Sequence, residues 1–148
     1  MKKILLLSFL FLTSNAGDGE HKIFEAIKTK HTREALGILK GQPSAVSVRG
    51  KYGQTPLMSA VIENNQILVN TIMAKSKKEI NFQDKGGATA LHIASRKGQV
   101  HTAAILLANG ADQSIKDNQG HTPLTRAVDF GKIEIVKLLR EDLSKRAE

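Results

Sequence analysis

Apolar residues recur along this chain at helical spacing, and the apolar blocks themselves return every 34 or 33 residues. Thr55-Pro56-Leu57 comes back as Thr89-Ala90-Leu91 and again as Thr122-Pro123-Leu124. Three residues after each leucine stands an alanine: Ala60, Ala94, Ala127. Nine residues beyond each alanine lie Val69, Ala103 and Val136, and twelve beyond lie Ile72, Leu106 and Leu139. Two apolar stretches of helical period per block predict a helix-turn-helix unit, repeated end to end.

The polar positions say where those helices start and stop. Thr55, Thr89 and Thr122 suit N-caps, because a threonine hydroxyl accepts from a backbone N–H of the first turn. Pro56 and Pro123 fit the first helical position, where a missing N–H costs nothing. Leucine and the small alanine then share one face, free to pack against a neighbour. Gly98 and Gly131, four residues after their alanines, suit a left-handed helix end, and Asn64-Asn65 occupy that region one unit earlier. A second helix follows, clearest over residues 133–139, and Asn109-Gly110-Ala111-Asp112 stops its counterpart. Asp84-Lys85-Gly86-Gly87 and Asp117-Asn118-Gln119-Gly120 predict tight turns leading to the next threonine.

Residues 53–139 resemble the ankyrin repeat, whose first helix opens on Thr-Pro-Leu-His-x-Ala. The Asp117 unit carries Gly120, Thr122-Pro123-Leu124, Ala127, Gly131 and Val136 in that pattern. The Asp84 unit keeps Leu91-His92 but has Ala90 for proline, while Met58 and Thr125 replace the histidine elsewhere. One unit upstream, Ala26, Ala35, Ile38 and Gly41 hold the register without the Thr-Pro-Leu motif. That segment reads as a degenerate N-terminal cap, since end repeats turn one face to water. At the other end Arg140 stands where Leu107 and Met73 do, and Glu141, Asp142, Lys145 and Arg146 follow. The resemblance implies an all-α solenoid of about four helix-turn-helix units joined by β-turn or hairpin-like loops. Its units fall at about 20–49, 50–83, 84–116 and 117–148, and its role is a non-catalytic binding scaffold.

Residues 1–16 stand apart. Lys2 and Lys3 precede an apolar run at 4–12 broken by Ser8, with small residues at Ser14 and Ala16. That order predicts a secretory signal peptide cleaved after Ala16, leaving 17–148 as a repeat domain, periplasmic or secreted. The run is too short for a membrane anchor, which needs about 20 apolar residues. The net charge is +8. Cysteine is absent, which excludes disulfides, thiolate zinc sites, thiol nucleophiles and lipidation at an N-terminal cysteine. Aromatic content is 4% with no tryptophan, so the core is aliphatic and offers little for stacking single-stranded nucleic acid.

Catalytic motifs are missing. None of the five histidines pairs with a carboxylate at His-Glu-x-x-His spacing, and no Gly-x-Ser-x-Gly elbow occurs. His92 is expected to support its threonine cap and the inter-repeat turns, and Asp84, Asp112 and Asp117 to hold turns. Lys75, Lys77 and Lys78 suit a solvated helix end. No catalytic residue, cofactor or metal is expected.

A partner would meet the turn tips and the exposed face of the first helices. Mapped by register, the candidates are Lys51, Tyr52, Gln54, Ile62 and Glu63, then Lys85, Ala88, Arg96 and Lys97, then Asn118, Gln119, His121, Asp129 and Phe130. Nothing in the repeat requires an exposed aromatic at Tyr52 or Phe130, and aromatics are enriched at binding hot spots. The competing reading for Tyr52, Ile62 and Phe130 is packing between adjacent repeats. Lys51, Lys85, Arg96 and Lys97 hint at an acidic surface on the partner. The expectation is a monomer binding a protein, with no specific nucleic acid and no stable membrane anchor. The alternative is electrostatic binding to an anionic surface, nucleic acid or membrane. A small periplasmic enzyme ranks last.

Overall fold

The computed structural model describes residues 16–147, with side chains from residue 21 onward. The expected export segment therefore lies outside the described residues. Among the described residues there are eight α-helices and no strand. They are α1 (Ala16–Lys28), α2 (Thr32–Gly41), α3 (Pro56–Ile62), α4 (Gln66–Lys75), α5 (Ala90–Lys97), α6 (Val100–Ala108), α7 (Pro123–Asp129) and α8 (Ile133–Ala147). Short 3-10 turns cover Pro43–Val46 and Lys78–Asn81. No described helix is long and apolar enough to cross a membrane.

Successive helices pair as α1/α2, α3/α4, α5/α6 and α7/α8, and each pair stacks on the next. The odd-numbered helices form one layer and the even-numbered ones the other. Caps place the starts. Thr55, Thr89 and Thr122 each accept at Oγ1 from the backbone N–H three residues on. Pro56 and Pro123 begin α3 and α7. Left-handed residues make the turn within each unit: Lys30, Asn64, Gly98 and Gly131 all have positive φ. The next residue's N–H then bonds the carbonyl of Ala26, Ala60, Ala94 or Ala127, so the four turns superpose in register.

That register explains which residues are buried. In α4 and α6 both flanks of the helix are covered, burying Leu68, Val69, Ile72 and Met73, then Thr102, Ala103, Leu106 and Leu107. Only Ala35 and Leu39 are buried in α2, and only Ile135 and Leu139 in α8. By position, α2 buries the flank facing the following unit and α8 the flank facing the preceding one. Ile38 is consequently half-buried, and Leu39 takes the core place beside it. At the far end Arg140 is exposed at the position of Leu39, Met73 and Leu107. Among the described residues no further unit stacks on that flank.

Loops between units form hairpin-like tips. The N–H groups of Gly50, Asp84 and Asp117 bond the carbonyls of Gln54, Ala88 and His121 across each tip. Adjacent tips are joined as well, by Lys85 N–H to Tyr52 O and Asn118 N–H to Gly86 O. Arg49 Nη1 reaches Gly53 O at 2.7 Å and Gln83 O at 3.2 Å, with its guanidinium 4.4 Å from the Phe82 ring centre. Gln83, one unit on, reaches Gly87 O and Lys116 O in the same manner.

Candidate functional site

The layer of α1, α3, α5 and α7 and the tips beside it enclose two adjoining clefts. The larger, about 500 Å³, runs between the last three units; Ile62, Ile93 and Phe130 give it apolar walls, and Arg96 and Arg126 add cations. The smaller, about 320 Å³, lies between the first two units, with Phe24, Ile27, Tyr52 and Ile62 on its walls. Ile62 and Asp84 line both, so the two form one groove along the array.

Sequence-derived candidates divide between groove, rim and internal use. Tyr52, Ile62 and Phe130 remain 65%, 40% and 49% exposed, and all three line the groove. At that exposure a large part of each side chain stays outside the packing between repeats. Arg96 and Gln119 also line it. Gln54 borders the smaller cleft, but its Oε1 accepts from Tyr52 N–H at 2.9 Å, so it shapes its own turn. His121 and Asp129 face each other at 3.7 Å. Lys51 rests near the Tyr52 ring, and Lys85 and Lys97 are exposed outside both clefts. The lysines thus sit at the rim. In the larger cleft Asp84 and Asp117 match Arg96 and Arg126 in number, so its lining is charge-balanced.

Sequence reasoning missed Phe24, Ile27, Ile93 and Arg126. Phe24 stands at the register position of Met58 and His92, a signal blurred because its unit lacks Thr-Pro-Leu. Arg126 donates from Nε to Asp117 Oδ2 at 2.7 Å, and Asp117 Oδ1 accepts from Gln119 and His121 N–H. Burial pushes the Asp117 carboxyl up; the His121 N–H and Arg126 outweigh it and hold the pKa below the usual value. Glu79, buried behind the array, is likewise pushed up by burial and brought lower overall by the Ser47 and Ser76 hydroxyls.

His92 is almost fully buried between two tips. Its Nδ1 accepts from Thr89 N–H at 3.2 Å, and its Nε2 donates to His121 O at 3.0 Å. Both nitrogens are engaged in the neutral ring, one as acceptor and one as donor. Burial lowers its pKa below the ordinary 6.5, although the His121 carbonyl pulls the other way. The folded state therefore binds a proton less readily than the unfolded chain. This contribution to stability is full above the unfolded value and is lost as pH falls through the folded one. Unfolding is expected at lower urea at about pH 5 than at about pH 7.5. His92→Met, copying Met58, should flatten that slope while losing the bond to His121. An unchanged slope in urea titrations of the variant would remove His92 as its cause. Among the described residues no group of three His, Cys, Asp or Glu is placed to hold a metal ion.

Stacked helix pairs with hairpin-like tips define a helical-repeat solenoid. The chain belongs to the ankyrin-repeat family: residues 64–147 match the family described as ankyrin repeats, three copies. A putative ankyrin repeat protein of fowlpox virus is 30% identical over 125 residues, covering 84% of this chain and 86% of the viral one. A transient receptor potential cation channel subfamily A member 1 homolog of Caenorhabditis elegans is 31% identical over 72% of this chain. The Neurogenic locus Notch protein of Drosophila melanogaster is 34% identical over 64%. The chain spans only 9% and 4% of those last two. Ankyrin repeats are generally protein-interaction modules rather than enzymes.

Proposed function

We propose that the chain is an exported, non-catalytic module that binds a partner protein through the groove and the tips above it. The observation carrying this reading is the groove itself, in which Tyr52 and Phe130 stay exposed at either end of a shared Ile62. Exposed aromatics beside apolar clefts are the usual anchors of such interfaces. Affinity capture with the chain as bait, from extracts of its source, is expected to recover a partner that Tyr52→Ala/Phe130→Ala loses. Equal recovery by the double variant would reject the site. The lysine pair, apolar run and small residues at the start of the chain support export to the periplasm or outside the cell. Mass spectrometry should find a mature N-terminus at Gly17; an intact Met1 on exported protein would reject the cleavage. The module acts as a monomer, which sedimentation at binding concentrations checks.

A further inference from the structure

The repeats provide an internal comparison at the turn aspartates. Asp84 and Asp117 stand at the same tip position, and each uses Oδ1 to accept two backbone N–H groups of its own turn. Their other oxygens differ. Asp117 Oδ2 meets the Arg126 guanidinium. The position equivalent to Arg126 in the preceding unit is Ile93, as the matching bonds of Ile93 N–H to Thr89 O and Arg126 N–H to Thr122 O establish. Asp84 Oδ2 therefore has no cation and no hydrogen bond among the described residues. In the unit before that, Gly50 and Ser59 hold these two places, so neither charge is present. Of the three tips, only that of Asp84 carries a carboxylate without its arginine.

Asp84 is also the one acid that lines both clefts. It is half-buried between apolar walls, Phe24, Tyr52 and Ile62 on one side and Ile93 and Phe130 on the other. A partly desolvated carboxylate gains most from a planar donor that reaches its free oxygen.

Resting on the groove reading above, we propose that the partner is an extended peptide segment carrying an arginine flanked by apolar residues. Its guanidinium takes at Asp84 the place that Arg126 takes at Asp117, and its neighbours fill the clefts on either side. The charge complementarity is local: it concerns one carboxylate, not the net charge of the chain.

The test uses phage-displayed random peptides selected on the immobilised chain, followed by fluorescence anisotropy with the best synthetic binder. Selected peptides should share a basic residue, mostly arginine, between apolar ones. Asp84→Asn keeps the Oδ1 acceptor of the turn and should weaken binding roughly tenfold or more. Ile93→Arg, which supplies the missing guanidinium internally, should weaken it as well, with far-UV circular dichroism confirming the fold. Peptides enriched without a cation, or bound equally by Asp84→Asn, would overturn the proposal. If such peptides are still lost by Tyr52→Ala/Phe130→Ala, the groove survives and only the arginine assignment fails. If no selected peptide depends on the groove, both readings fail.

Discussion

Gly87→Ala is expected to destabilise the fold by about 3 kcal/mol, and Gly120→Ala, at the same place in the next unit, by only about 1 kcal/mol. Both glycines have positive φ, +78° and +81°, so each alanine carries the strain of the left-handed region. The surroundings differ. A Cβ on Gly87 would stand 2.7 Å from the backbone nitrogen of Asn118 and 2.5 Å from its Oδ1. Backbone cannot swing aside as a side-chain end can, so the two tips must separate. Separation weakens the bonds from Asn118 N–H to Gly86 O and from Asn118 Nδ2 to Lys85 O. Gly120 has nothing within 4 Å of its added Cβ, because no described tip follows it. Urea unfolding followed by circular dichroism separates the two effects. Equal losses would mean that tip stacking contributes little.

A comparable gap is expected between the motif leucines. Leu91→Ala should cost about 3–5 kcal/mol, within the range for emptying a close-packed aliphatic site. Leu91 is fully buried, and α5 packs against α3, α6 and α7. Leu124 is only half-buried in the last unit, so Leu124→Ala should cost about 1–2 kcal/mol, with water and side-chain shifts relieving the cavity. In a one-dimensional array the central lesion also weakens coupling on both sides. Amide hydrogen exchange should then show protection lost in α3 and α7 as well as α5. Loss confined to α5, or equal midpoints for the two variants, would contradict this account.

How far the site was legible follows from the same logic. Tyr52, Ile62 and Phe130 could be found because the repeat assigns a job to most of their neighbours and none to them. Phe24 and Ile27 could not, since their unit keeps the alanine and the apolar spacing but not the Thr-Pro-Leu signal. Asp84 and Asp117 read alike as turn residues. What separates them is a residue nine positions on, isoleucine in one unit and arginine in the other, and that link needs the helix folded back beside its tip.

Local sequence is enough for the helix pairs, the threonine caps, the left-handed turns at Asn64, Gly98 and Gly131 and the common register of the units. These are local properties, set by hydrogen bonds three to five residues apart and by apolar spacing along one helix. Which of the register-matched residues share the same surroundings is visible only in the folded array. Gly87 and Gly120, Leu91 and Leu124, and Asp84 and Asp117 share their places in the repeat and differ in what lies against them. Stacking is the physical reason: among the described residues an inner unit has a neighbour on both flanks and the first and last units on one, so burial, strain and an unmatched charge depend on position in the array.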